Sequence, residues 1–241
     1  MTSIASSSSQ PAANLPDKSK LTVIREGAAE IFGTSGTAFY NPAQEFNRDL
    51  TITVLRWLSN AYQERLCRAR ERVPHQNAAG SAAAESCPSD GGANSGKRKR
   101  QMLSGLRILD ALSASGLRAI RFAKEIDHID SIVANDFWGI NLVKLSMRIV
   151  STKNVIVRSK LAGPIEVMIS SRKFGRQFHA IDLDPFGSPA NFLDCAVQAV
   201  EDDCILMVTC TDVATICGAH MPEACYARYN SIPVRVDCHE M

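Results

Sequence analysis

The sequence has no run that approaches the ~18 uncharged apolar residues of a membrane-spanning helix, so a helical span is excluded. Nor does it carry a surplus of one charge. Lys and Arg number 27 against 25 Asp and Glu, a net of +2. That excludes a uniformly basic nucleic-acid coat but leaves room for a local basic patch. None of the eight cysteines forms a Cys-x-x-Cys pair, so a four-cysteine zinc site has no spacing to build on, and no metal is expected. No secretory signal is recognisable, and the cysteines read as reduced thiols. The glycine fingerprint of a dinucleotide site, G-x-G-x-x-G, is also missing. What remains is 241 residues of globular composition, 45% hydrophobic and 22% charged, enough for a sizeable core.

Composition divides the chain. Residues 1–20 are Ser-rich and polar and read as a disordered tail. The first basic residue is Lys18, a poor match to an Arg-rich mitochondrial presequence. Residues 21–66 form an N-terminal segment: an ordered stretch over 21–33, a turn at Asn41-Pro42, then a helix from Asn47. Apolar residues at 50, 54, 57, 58 and 61 predict that helix's buried face. Residues 67–101 are small and polar, end in KRKR, and read as a low-complexity insertion. KRKR (97–100) reads first as a solvated charge run, and also suits nuclear import or contact with RNA phosphates.

From 102 to 241 strands and helices alternate. Strands are predicted at 106–112, 131–136, 154–157, 178–184 and 204–209. Helices are predicted from Gly116, along a stripe from Trp138 to Ile149, over 165–173, after Ser188 and around 223–229. In the helix after Ser188, Pro189 takes the first helical position, and Leu193, Ala196, Val197 and Val200 are expected inside. Short apolar strands separated by helices predict an α/β fold with a doubly wound parallel sheet. Only 32 residues follow the fifth strand, and the sheet is expected to be incomplete at its C-terminal end.

In such sheets ligands sit at the carboxyl ends of the strands. The first strand–helix turn, DALSASGLR, offers only Gly116, which disfavours a pyrophosphate and suits a ligand without one. Asp136 ends the second strand 20 residues after that glycine, where an acid suits a pair of ribose hydroxyls; a solvated strand-end carboxylate is the plainer account. Arg48 and Arg118 both fall in predicted first helical turns. A cation there opposes the helix dipole by about 0.3–1 kcal/mol unless a bound carboxylate, Asp49 or solvent compensates. The sharpest signal is IDLDPFGSP (181–189). Proline stops the fourth strand, so Asp184 and Phe186 project into the crevice. A carboxylate can accept from an exocyclic amine while the ring stacks on its base. The aromatics of FYNP (39–42) read first as turn and packing residues, and His179 reads as a structural histidine within its strand.

Together VIREGAAEIF, FYNPAQEFNRD, ILDALSASGLRAIRFAKEI, VAND, FHAIDLDPFGSPANFLDCAV and CTDVATICGAHMPEACYARY resemble the tRNA (guanine(26)-N(2))-dimethyltransferases. The resemblance implies a Rossmann-like class I methyltransferase sheet and S-adenosyl-L-methionine as methyl donor. The implied substrate is tRNA, with transfer to the exocyclic N2 of guanine 26 giving mono- and dimethylguanine. It further implies that Arg48, Arg118, Asp136 and Gly116 contact the cofactor, that Asp184 holds the guanine amine, and that Phe39 and Phe186 sandwich the base. No membrane and no obligate protein partner is implied. The expected location is the nucleus, with mitochondrion and cytoplasm also open. Two departures stand out. Gly163-Pro164 replaces an Asp-Ala expected where the adenine amine is read, and the family continues beyond the end of this chain. The competing expectation is a catalytically impaired tRNA-binding or regulatory fragment.

Overall fold

The computed structural model describes residues 21–34, 40–71, 105–137, 155–218 and 222–234. Strands β1 (Leu21–Glu26) and β2 (Ala29–Thr34) pair antiparallel through a two-residue connection, with Gly27 at φ 54°. A short 3-10 turn, Pro42–Gln44, leads into helix α1 (Glu45–Glu71). Asn41 caps that turn by accepting from the Ala43 amide at 3.0 Å, as the Asn-Pro signal predicts. The alternating region then runs β3 (Leu106–Asp110), α2 (Leu117–Glu125), β4 (Ile129–Asp136), β5 (Ile156–Leu161), α3 (Pro164–Ser171), β6 (Phe178–Leu183), α4 (Ala190–Ala199), β7 (Val200–Val208), α5 (Val213–Ile216) and α6 (Pro222–Tyr229).

The five strands β3–β7 form one sheet in the order β5-β4-β3-β6-β7, with every pairing parallel. The chain reverses direction across the sheet between β3 and β6, and helices lie on both faces, as the doubly wound expectation requires. On one face Ile52, Leu55 and Leu58 of α1 and Ala119, Phe122 and Ala123 of α2 pack on Ile108, Ile132 and Ala180. On the other, Val167 and Met168 of α3 and Ala196 and Ala199 of α4 pack on Leu109, Ile181 and Leu183. The hairpin β1–β2 sits apart from the sheet and buries Ala29 and Ile31 against Leu117 and Ile120 of α2. Among the described residues, no helix is long and apolar enough to cross a membrane.

Several local expectations need correction. Helix α1 runs on to Glu71, past residue 67, and its buried face is not the one its apolar stripe suggested. Leu50 and Trp57 are 54% and 65% exposed, while Arg48, Thr51, Ile52, Leu55, Leu58 and Ser59 are buried. Polar side chains with partners inside the fold turned this helix by about a third of a turn. In α4 the small residues Ala196 and Ala199 approach the sheet and leave Val197 exposed. Helix α4 also begins one residue later than expected: Pro189 is its cap, and Ser188 Oγ accepts from the Ala190 amide at 3.3 Å. Strand β5 lies at 156–161 instead of 154–157. It is an edge strand, and Arg158 and Lys160 in it discourage pairing with a foreign strand. Cys195, Cys204 and Cys210 are half-buried rather than core residues. The stripe from Trp138 to Ile149, KRKR and the two termini lie outside the described residues.

Candidate active site

The turn from β3 into α2 is stitched to the end of β4. Asn135 Nδ2 donates to the Ala111 carbonyl at 2.9 Å, the Ser113 amide donates to the Asn135 carbonyl at 2.7 Å, and the Ala114 amide donates to Asp136 Oδ2 at 2.7 Å. Ala114 and Gly116 sit at φ 44° and 77°, so the chain curls sharply here and Gly116 supplies the left-handed cap of α2. Asp136 is thus at the strand end, beside the turn that carries Gly116. Asn135 is fully buried, and its Oδ1 has no hydrogen-bond partner.

Arg118, in the first turn of α2, is almost buried. Its Nη1 donates to Asp182 Oδ2 at 3.1 Å and lies 3.5 Å from Thr51 Oγ1, and its Nη2 donates to Asp184 Oδ2 at 2.5 Å. One guanidinium thereby ties the last turn of β6 to α2. Asp110 lies directly across from Asp182 in the sheet register, and both are about 1% exposed. Burial first, then the neighbouring Asp182, pushes the Asp110 carboxyl up to about 7, although Ser113 Oγ donates to it at 2.5 Å. Burial also raises Asp182 above the usual carboxylate range, while Arg118 opposes the rise.

Beyond Asp184 the loop turns outward. Gly187 at φ 84° makes the bend, and Phe186 stands 95% exposed at its tip. The loop is nevertheless fixed at its base. The Gly187 amide donates to Thr211 Oγ1 at 3.1 Å, and the Thr211 amide donates back to the Gly187 carbonyl at 3.0 Å. Thr211 follows β7, so the segment after the last strand holds the Asp-Pro-Phe-Gly loop in place.

Arg48 lies in a separate cluster. Its Nε and Nη2 form a fork on both oxygens of Glu26, Nη2 also donates to the Asn41 carbonyl at 3.1 Å, and its guanidinium stands 5.2 Å from the centre of the Tyr40 ring. Arg121 bonds Glu26 at 2.8 Å, Glu125 at 2.8 Å and Asp49 at 2.6 Å. Although Glu26 and Glu125 feel desolvation, their arginine partners hold both carboxyls below the usual range.

Of the residues picked from the sequence, the structure brings Arg118, Asp184, Asp136 and Gly116 to the carboxyl ends of β3, β4 and β6, with Phe186 on the adjoining loop. Arg48 stands with the hairpin anchor, and Phe39 lies outside the described residues. Asp110, Asp182 and Glu26 join these clusters only through the fold. Acids inside LRILDAL and FHAIDLD were the available signal for the first two. His179 sits at the opposite, amino end of β6, where its Nδ1 accepts from the Arg107 amide at 2.8 Å and its ring packs against Tyr62 at a tilt of 53°.

The residues fit a nucleoside-bearing ligand without a pyrophosphate. An acid stands at the end of β4, the buried Asn135 Oδ1 awaits a donor, and at Gly163 a Cβ would meet nothing within 4 Å, so there is room at the end of β5.

The family model of the N2,N2-dimethylguanosine tRNA methyltransferases matches residues 16–241. Curated relatives include a tRNA (guanine(26)-N(2))-dimethyltransferase of Caenorhabditis elegans, 42% identical over all of this chain and 43% of its own length. One of Homo sapiens is 36% identical over 94% of this chain and 37% of its own length. The chain thus spans about two fifths of these relatives. Among solved structures, the complex of Trm1 from Pyrococcus horikoshii with S-adenosyl-L-methionine shares 28% identity, with a TM-score of 0.63, over 90% of this chain and 49% of that one.

Proposed function

Since the chain belongs to the N2,N2-dimethylguanosine tRNA methyltransferase family, we propose that it serves methyl transfer from S-adenosyl-L-methionine to the exocyclic N2 of guanine 26 in tRNA. The observation that carries this reading is the Asp184-Pro185-Phe186-Gly187 loop at the carboxyl end of β6, beside the Asp136 turn. It joins an amine-accepting carboxylate and a stacking ring to a crevice suited to a nucleoside.

Asp136 and the turn at Gly116 hold the ribose side of the cofactor. Arg118 supplies positive charge toward its carboxylate end, while Arg48, forked on Glu26, braces the neighbouring hairpin. When bound, the cofactor supplies an already activated methyl group, so the protein's main task is orientation. Asp184, braced by Arg118, accepts from the guanine amine and stabilises the positive charge that develops on its nitrogen. Phe186 stacks on the base, with Phe39 as the second ring. Stacking requires the base to leave its helix, at a cost of a few kcal/mol. KRKR (97–100) directs the protein to the nucleus; wholly cytoplasmic protein after its removal supports that assignment.

The test is transfer of labelled methyl to tRNA carrying guanine at position 26. Asp184→Ala should lower the rate by roughly 100-fold or more while cofactor binding persists. Unchanged transfer by Asp184→Ala, or equal methylation of tRNA lacking that guanine, contradicts the reading.

A further inference from the structure

Three carboxyl groups crowd one guanidinium at the carboxyl ends of β3 and β6. Asp110 and Asp182 are register partners on neighbouring strands, and period-two alternation turns both to the face covered by α1 and α2. Arg118 reaches down from α2 but bonds Asp182 and Asp184, not Asp110. Asp110's own hydrogen bond comes from the neutral hydroxyl of Ser113. From α1 the nearest contribution is the neutral Thr51; Arg48 on the same helix is engaged with Glu26. From β4 comes Asp136, a further carboxyl, which accepts from the Ala114 amide, with the neutral Asn135 beside it. Among the described residues no second cation bonds Asp110, Asp182 or Asp184, and two buried carboxylates side by side do not both ionise at low cost.

We propose that Asp110 keeps its proton until a cation enters the crevice, then releases it, so that the site favours the sulfonium cofactor over its neutral thioether product. This rests on the cofactor reading above. The step is a simple ionisation: the Asp110 O–H bond breaks, its electron pair stays on the carboxylate, and the proton passes to the buffer. Its titration near neutral pH agrees with the crowding. Being almost fully buried, Asp110 touches neither ligand and acts through Asp182, Arg118 and Asp184. It is a positioning residue of charge rather than of shape. The consequence is product release: once the methyl is gone, the proton returns and the thioether loses its electrostatic hold.

The experiment is isothermal calorimetry on the whole chain with S-adenosylmethionine and with S-adenosylhomocysteine, between pH 6 and pH 8 and in buffers of different ionisation enthalpy. The sulfonium ligand should release about half a proton more at pH 7 than the thioether, and its relative affinity should rise about tenfold from pH 6 to pH 8. Asp110→Asn should flatten that ratio. Equal proton release by the two ligands overturns the proposal but leaves the cofactor reading intact, and this wild-type measurement stands even if the variant does not fold. A ratio that still climbs with pH in a folded Asp110→Asn overturns it as well. Binding of neither ligand overturns both readings.

Discussion

Two buried arginine clusters in this molecule handle charge in opposite ways. Where the β1–β2 hairpin meets α1 and α2, Arg48 and Arg121 face Glu26, Glu125 and Asp49, and Arg56 approaches Glu125 at 3.8 Å. Cations and anions there are matched, and the two glutamates titrate low. In the crevice one arginine serves three aspartates, and Asp110 and Asp182 titrate high. The first arrangement fixes a piece of the fold. The second leaves carboxyls unmatched by cations, which costs stability and marks the crevice as the less settled of the two.

The largest effect should come from unbalancing the matched cluster. Glu26→Ala strips both arginines of their shared buried carboxylate and should cost about 3–5 kcal/mol in urea unfolding. Next is Asp136→Ala, which removes an acid from the crevice outside the crowded trio. Cofactor affinity should fall by about 1–3 kcal/mol by calorimetry with the melting temperature nearly unchanged; unaltered affinity refutes its role.

Relieving the surplus should do the reverse of the first change. A carboxyl raised in the folded state stabilises fully below its unfolded value near 3.8, and this contribution is lost as pH rises through about 7. Asp110→Asn should therefore raise the melting temperature at pH 8, by about 2–4 °C for each kcal/mol regained in a chain of this size, and do little at pH 4. The anchor behaves oppositely. Its lowered glutamates stabilise above their unfolded value near 4.5, and this is lost as pH falls through their lower folded values. The stability maximum of the free protein should then lie between the two transitions, and Asp110→Asn should shift it to higher pH. The smallest effect is Gly163→Asp. The backbone there is extended, at φ −60° and ψ 135°, and a Cβ has open space, so the new side chain caps α3 for a few tenths of a kcal/mol. It should also tighten cofactor binding if the end of β5 reads the adenine.

The same contrast explains what the sequence revealed. Strands β3, β4 and β6 were legible because each is a short apolar run closed by a polar residue or a turn, and the loop at Asp184 announced itself through Pro185 and Gly187. The buried face of α1 was not, because Arg48, Thr51 and Ser59 lie inside it. Their partners, Glu26, Arg118 and the carbonyl of Asp127, come from 22, 67 and 68 residues away. A polar residue satisfied at long range looks like a solvent residue in a local pattern. Glu26 and Asp110 carry no local charge signal for the same reason, since the charges that define their roles are brought together only by the fold.

The anchor has a kinetic side. Glu26 meets Arg121 across 95 residues of chain, and the Ala28 amide meets Glu125 across 97. Contacts of such span form only after the intervening chain has been closed up. The hairpin, which among the described residues makes no hydrogen bonds with the five-stranded sheet, should therefore dock late in folding and detach early in unfolding. Its amides would exchange with solvent sooner than those of β3 and β6, and weakening Glu26 would chiefly hasten unfolding rather than slow folding.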